Sequence, residues 1–418
     1  MIHKLFGGRI VYILYTLQNS YSIILVSIFV MIVIFNLILN LFPNTRPQSS
    51  IAPQKFSGIV IFHPKISEEQ TKLIIFSKEL NSNIEIQAYN KLEIELGDNL
   101  DINCQLNWDE NNYYKFLGVS YSVKNCKNIN LIEKSPSLII KLFAQTRAWI
   151  INKSDKLFVR STSSLVKGLL IGDSSDIPEN IKQDYVNAGI THIVAVSGFN
   201  MSVVAGFVKF ILKAIRTKIR FVLVTIALFF YLAIVGFDNI PALKAFFLIL
   251  MLNFAKIVGR RPNSVYATLL SSLIVVIIFP GSYTSISFQL SSLAGLAIAI
   301  FPQKFSFIMI NLLILPVMIL GFGTVNPLAV ISNIIILPIV EPLTFLSISA
   351  LINPIAELEI ITKVVDWFVQ LIQSTANYIA SIPFSSVTLG QENTSLVFCI
   401  IMILVLIVFE FNFRKHTA

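Results

Sequence analysis

The side chains able to do chemistry in this sequence are few and lie where water should be scarce. Lys244 and Gln289 each interrupt an otherwise apolar run, and Glu341 does the same further along. A polar group in such a run is costly to expose to hydrocarbon, so each should face a partner or a water-filled path. His192 is the only histidine in or beside the strongly apolar part; the others are His3, His63 and His416. One imidazole with no cysteine or carboxylate at helical spacing builds no metal site, which leaves it hydrogen bonding to structure or substrate. Ser197, within Ala195-Val196-Ser197-Gly198-Phe199-Asn200, lacks the preceding glycine of a hydrolase elbow, so helix packing explains it better than nucleophilic attack. Gly198, Ser202 and Gly206 recur every four residues, a spacing that lets another helix press close and places this helix centrally in a bundle. Gly172-Asp173 and Asp176 offer too few oxygen ligands for a metal loop, and Asp173 reads as a cap or an acceptor of loop amides. Neither a catalytic constellation nor a cofactor motif emerges, and the chain is read as a non-enzyme.

The elements that must hold these groups are membrane helices. Of 418 residues 55% are hydrophobic and only 13% charged, whereas a soluble domain carries about a quarter charged residues. The fold class is a polytopic α-helical membrane protein of about eight to ten transmembrane helices, each needing about 20 residues to cross the bilayer. The first apolar run is Tyr21 to Leu41, too long for a signal-peptide core and read as an uncleaved helix with its amino end in the cytoplasm. Later candidates are Ile190 to Leu212, Phe221 to Phe237, Ala242 to Val258, Val265 to Phe279, Ile286 to Ile300, Phe305 to Leu320 and Leu328 to Leu351. Several are short, and Pro241, Pro316, Pro327, Pro338, Pro342 and Pro354 punctuate them. Broken helices of this kind often line a conduit, although helix bends with no transport role give the same pattern. Ile360 to Ile382 carries several polar residues; it reads as a crossing that faces the interior or as a surface helix, with Ser395 to Phe409 returning if it crosses.

Charge sets the expected orientation. The excess of 32 Lys and Arg over 23 Asp and Glu, a net +9, lies almost wholly in or beside the apolar parts, as short cytoplasmic loops require, and calls for no nucleic-acid ligand on its own. With the amino end inside, Lys209 through Arg220, then Arg260-Arg261, then Lys304 all fall on the inner face. The polar region 44–134 is then extracytoplasmic. Phe56 to Phe62, Thr71 to Phe76, Ile84 to Leu96, interrupted near Asn90, and Phe116 to Val123 read as strands, which predicts a small barrel or curled sheet. Cys104 and Cys126 share this region, and either a disulfide or two unpaired small hydrophobes suits them. Ser135 to Ile151 is apolar at helical spacing but carries Lys141, Gln145 and Arg147, so it is expected along the bilayer surface with its basic groups at the headgroups. Ser161 to Ile171 is a second amphipathic stretch, and Asp176-Ile177-Pro178-Glu179 reads as the capped start of a short helix to Asn187.

Two runs carry a family resemblance: Gly168-Leu169-Leu170-Ile171-Gly172-Asp173-Ser174-Ser175, and Ala188-Gly189-Ile190-Thr191-His192-Ile193-Val194-Ala195-Val196-Ser197-Gly198-Phe199-Asn200. Gly236, Pro241, Lys244-Ala245, Gly259-Arg260-Arg261, Ser287-Phe288-Gln289-Leu290-Ser291 and Asn333 through Pro338 follow in order. Over roughly residues 20 to 385 the chain resembles the ComEC-like competence proteins, inner-membrane channels for uptake of single-stranded DNA.

The resemblance implies an oligonucleotide-binding-like (OB-like) outer domain and a channel body. The implied division is 1–43 as cytoplasmic tip and first helix, 44–134 as outer domain, 135–189 as amphipathic helices and loop, 190–411 as channel, and 412–418 as tail. It implies a path along His192, Ser197, Gly198, Asn200, Lys244 and Gln289, structural roles for Gly172, Asp173, Gly206, Asn333 and Pro338, and phosphate contacts from Arg216, Arg220, Arg260 and Arg261. The implied partners are single-stranded DNA, a competence DNA receptor, a cytoplasmic ATP-driven motor, a separate nuclease and the lipid bilayer. The family's metallo-β-lactamase-like domain has no counterpart in this sequence, so no nuclease activity is expected, and no cofactor. Asn200 stands where the family usually has a second histidine and Lys244 where it has arginine; hydrogen bonding and charge are kept, but the second titrating group and the guanidinium fork are not. A transporter or exporter of a smaller or lipid-linked solute, or a docking protein without transport, are the alternatives.

Overall fold

The computed structural model describes residues 54–388 apart from 67–69, 91, 109–116, 125, 127–128, 136, 195, 302, 323, 353–358 and 384. The segments Tyr21 to Leu41 and Ser395 to Phe409, with Cys399, lie outside the described residues.

The described residues between 54 and 133 form one sheet of eight strands: β1 Gln54–Val60, β2 Lys65–Ile66, β3 Thr71–Ser77, β4 Ser82–Ala88, β5 Asn99–Cys104, β6 Asn107–Trp108, β7 Val119–Lys124 and β8 Ile129–Glu133. The order is β6-β7-β4-β3-β1-β5-β8, with β2 paired on β3. All pairings are antiparallel except β4 with β7. Alternation explains the faces: Ile84 and Ile86 of β4, and Leu100 and Ile102 of β5, turn inward and are fully buried with Phe56, Leu73 and Ile75. Cys104 and Cys126 close this core as a disulfide, with Cα atoms 5.6 Å apart. The expected strand Ile84 to Leu96 stops at Ala88, because the Thr71 hydroxyl donates to Asn90 O at 2.8 Å and accepts from Leu92 N at 3.0 Å. Sequence reading missed β5 and β8, where Asn and Asp on the outward positions resemble turns.

Among the described residues twelve α-helices follow: α1 Leu138–Leu157, α2 Arg160–Ile171, α3 Glu179–Asn187, α4 Thr191–Val194, α5 Gly198–Ile211, α6 Thr217–Val235, α7 Ile240–Ile257, α8 Ser264–Ile278, α9 Ile286–Ile300, α10 Gln303–Phe322, α11 Ala329–Ile352 and α12 Glu359–Ser381. A short ladder, β9 Thr324–Val325 with β10 Val387–Thr388, ties two loops together. Four segments are long and apolar enough to cross a membrane: Thr191–Ile211, Thr217–Val235, Ile240–Ile257 and Ala329–Ile352. This is fewer than the eight to ten expected, among the described residues. Helices α8 and α9, of 15 residues each, reach only about 22 Å, and α12 is too polar on one face. The Thr191–Ile211 segment is broken, because Ser197 is extended and separates α4 from α5.

Three expectations change, two before α4 and one in α5. Arg147 does not lie at a bilayer surface; it is buried. Asp176 does not cap α3, which starts after Pro178 with no side-chain cap bond; its carboxylate instead accepts from Lys167 Nζ at 2.6 Å. Gly206 fills no helix groove among the described residues, since a Cβ there would meet nothing within 4 Å, whereas one at Gly198 would come within 3.1 Å of Ala245 Cβ.

Two signature glycines are required by backbone. Gly172 ends α2 at φ 72°, with its N–H returned to Gly168 O at 3.0 Å. Gly189 turns the chain into α4 at φ 72°, where an added Cβ would lie 2.5 Å from Ala329 Cβ. Left-handed backbone and overlap together should make Gly189→Ala destabilising by at least about 2 kcal/mol. Thermal unfolding of the detergent-purified variant checks this, and an unchanged midpoint contradicts it.

The sheet is seated on the helices. Ile74, Leu117 and Val119 share a buried cluster with Val196, Val235, Ile240 and Leu243, and Ser175 Oγ approaches Ile66 O to 3.2 Å.

Candidate functional site

The chemistry-bearing residues fall into three places rather than one. The first is the break before α5. Asn200 is only 1% exposed, and its amide donates to Leu169 O at 2.6 Å, stapling α5 to α2. Gly198 rests on α7 beside Ala245 and Pro241 O, and Ser197 is half-buried. His192 is exposed on α4, and α4 itself packs against α2 and α3. On α11, Asn333 is buried with Oδ1 lacking a hydrogen-bond partner, while Pro338 and Glu341 are exposed.

The second place lies between α7, α8 and α9. Asn239 caps α7 by accepting from Ala242 N at 3.0 Å, and Pro241 suits the first turn. This start buries Lys244, whose residue exposure is 4%. Its Nζ donates to Ser292 Oγ at 3.2 Å, and Ser292 Oγ is 3.3 Å from Ser272 Oγ. Gly295 leaves room beside the ammonium, since a Cβ there would stand 3.7 Å from Nζ. Among the described residues no carboxylate pairs with Lys244. Gln289, equally buried, donates to Tyr283 O at 2.9 Å. No hydrogen bond joins His192, Lys244 and Gln289 to one another: Lys244 and Gln289 find their partners inside the helix packing, and His192 is exposed. What remains is a buried amino group with hydroxyl company and, among the described residues, no counter-ion, a place where an approaching anion favours the charged form.

The third place is the end of the bundle made by the α5–α6 and α7–α8 turns. It carries Lys209, Lys213, Arg216, Lys218, Arg220, Lys256, Arg260 and Arg261. Lys209 Nζ donates to Asn253 Oδ1 at 2.9 Å, joining the ends of α5 and α7, and Arg220 donates to Lys213 O at 3.2 Å. Arg216, Arg260 and Arg261 are exposed. From Met201 to Asn263 the only acid is Asp238, at the far end of α6; that helix of 19 residues is about 28 Å long, close to the thickness of a hydrocarbon core.

That far end is where the sheet docks, and it holds a buried charge cluster that sequence reading missed. Arg147 Nη1 donates to Ile171 O at 2.9 Å, Ile234 O at 3.0 Å and Val235 O at 3.4 Å. Asp173 Oδ2 lies 3.9 Å from its Nη2, while Asp173 Oδ1 accepts from Ser175 N at 3.2 Å and from Ser175 Oγ at 2.5 Å, the loop bonding expected of it. Burial pulls the Arg147 guanidinium below its usual range, against the opposing charges of Asp173 and Asp238. Nearby, burial pulls Lys167 down, but its bonds to Asp176 and Asp155 together outweigh this and hold the ammonium above its usual range.

His63 joins sheet to helices by donating from Nε2 to Ala233 O at 2.9 Å. Burial, then the Arg147 charge, push its imidazole down from 6.5 to about 4, and the carbonyl bond opposes them. The unfolded imidazole takes up its proton near pH 6.5 and the folded one only near 4, so this contribution to stability is complete above 6.5 and lost as pH falls between those values. The purified protein should melt at lower temperature at pH 5 than at pH 7, and His63→Gln should shrink that difference. An undiminished difference in the variant contradicts the assignment.

Among the described residues no group of three or more His, Cys, Asp or Glu could hold a metal ion. In comparisons with known proteins, the family model described as Competence protein matches residues 169–414. No curated protein and no solved structure matches the chain.

Proposed function

The chain belongs to the competence protein family, and from that membership we propose that it passes one strand of DNA across the cytoplasmic membrane during natural competence. The family points to DNA uptake; the strand and the route are our reading. The observation that carries it is the arrangement of charge along the helical body. Eight basic residues crowd the α5–α6 and α7–α8 turns, the sheet sits at the other end of α6, and Lys244 lies between with no counter-ion among the described residues.

A phosphate chain is prohibitively expensive to bring into hydrocarbon unaided. Fixed cations offset that expense, and cations gathered at one end give an anionic strand a direction. The basic turns also belong on the cytoplasmic side by the rule for membrane loops, which supports an extracytoplasmic, OB-like sheet, where the Cys104–Cys126 disulfide persists. The strand arrives there from a DNA receptor after a separate nuclease has removed its complement, and a cytoplasmic ATP-driven motor draws it in. The chain itself acts as a conduit and not as an enzyme.

Replacing Arg216, Arg260 and Arg261 together by glutamine should reduce arrival of labelled single strands in the cytoplasm about tenfold or more, with duplex binding at the surface and membrane level of the protein unchanged. Unreduced arrival in cells making the triple variant contradicts the proposed exit.

A further inference from the structure

We propose that the free face of α12 is a wall of the aqueous path, on which the bases of the passing strand stack; this rests on the DNA-conduit reading above. Helix α12 is split lengthwise. Val365, Val369, Ile372, Ala376 and Ile379 are buried and share one core with Leu343 and Leu351 of α11. The opposite stripe presents Lys363, Trp367, Gln370, Ser374 and Tyr378, all exposed; Ile360 and Val364 are exposed beside its start, and Asn377 on the same side is tied to α3.

The two helices run antiparallel. Asn326, just before α11, donates to Val186 O and Asn187 O at 2.9 and 3.0 Å, and Asn377, near the end of α12, donates to Asp184 Oδ2 at 3.0 Å. The start of α11 and the end of α12 therefore meet at α3. α11 is an apolar span, and α12, at 23 residues or about 35 Å, lies beside it through the same depth. A stripe of amides, a hydroxyl and an ammonium at that depth is tolerated where it borders water or protein, not lipid.

The chemistry of the stripe selects its occupant. Lys363 is neutralised by Glu359 at 2.7 Å, so it offers phosphate little. Trp367 and Tyr378 are 58% and 70% exposed, and Trp367 is braced by Phe368 with ring centroids 5.1 Å apart. Eleven residues of helix place them about 16 Å apart along the stripe, the length of about five stacked nucleotides at about 3.4 Å each. Rings with amides and hydroxyls between them suit bases of any sequence. Phosphates are left to the basic turns.

The test uses the full chain in membranes, with Cys399→Ser and the native disulfide intact. Gln370→Cys and Ser374→Cys should react with a charged, membrane-impermeant methanethiosulfonate, and Ile372→Cys should not. Stalling a labelled DNA strand in transit should slow the Gln370→Cys reaction several-fold. In addition, Trp367→Ala should lower single-strand arrival about tenfold at normal membrane level, and Trp367→Phe should restore most of it.

Reaction of the stripe only with a lipid-soluble maleimide overturns the wall, as does reaction with neither reagent before detergent, the sign of cover by a second copy or another segment of the chain. Reaction without protection by DNA, while uptake continues, overturns the base contact. If deletion of the gene leaves single-strand arrival intact, the conduit reading fails instead, whatever the labelling shows.

Discussion

Arg147→Ala is expected to prevent accumulation of the folded protein. The side chain is buried among Asp173 and the carbonyls of Ile171, Ile234 and Val235, and no water can replace it at once for all of them. Removing one partner of a buried, hydrogen-bonded charge pair costs about 3–5 kcal/mol, a large part of the roughly 5–15 kcal/mol that keeps a domain folded. The loss falls where three parts meet: α1, the Gly172-Asp173 loop closing α2, and the end of α6 against which the sheet docks. Asp173→Asn, which retains an acceptor for Ser175, should be milder. Membrane level and protease resistance check both, and a resistant, normally abundant Arg147→Ala protein contradicts this account of the junction.

Lys244→Met is expected to separate stability from function. Lys244 has Ser292 Oγ as its hydrogen-bond acceptor and no carboxylate among the described residues, so an unbranched apolar side chain of similar length should leave stability unchanged or improve it. If the charge serves passage of an anion, single-strand arrival should fall about tenfold or more, equivalent to about 1.4 kcal/mol, while duplex binding at the surface persists. Lys244→Arg retains the charge and should retain most uptake. Normal arrival with Lys244→Met means that the buried cation is no part of the route.

The helices were legible in the sequence where composition alone determines them. Ile286 to Ile300 is helical over those residues, and the limits of α6, α7 and α11 lie within a few residues of the apolar runs, because a long stretch without water has no other way to satisfy its backbone. The extra strands were less legible. Leu100, Ile102 and Cys104 do alternate, but Asn99, Asp101 and Asn103 between them carry the signals of a turn, and only pairing with β1 and β8 decides.

For the site, sequence identified which residues are anomalous and could not say what they face. Lys244 and Gln289 had to be buried against something; that Ser292 and Tyr283 O are the partners follows from packing between helices. Arg147 shows the limit most sharply. In a segment of middling hydrophobicity a guanidinium resembles a headgroup contact, and its acceptors lie 24, 87 and 88 residues away in sequence, so no local pattern records them. Asp176 departs from its local pattern for a related reason: the Asp-Ile-Pro-Glu sequence fits a cap, but Lys167 offers a full charge at 2.6 Å, and the carboxylate turns to it.

The most direct measurement follows doubly labelled duplex DNA in competent cells, scoring surface binding separately from single strands in the cytoplasm, with the gene deleted and then restored. The account predicts that deletion leaves surface binding intact and abolishes internal single strands, and that restoring the gene recovers them. Internal single strands arriving at the normal rate without this chain would contradict it.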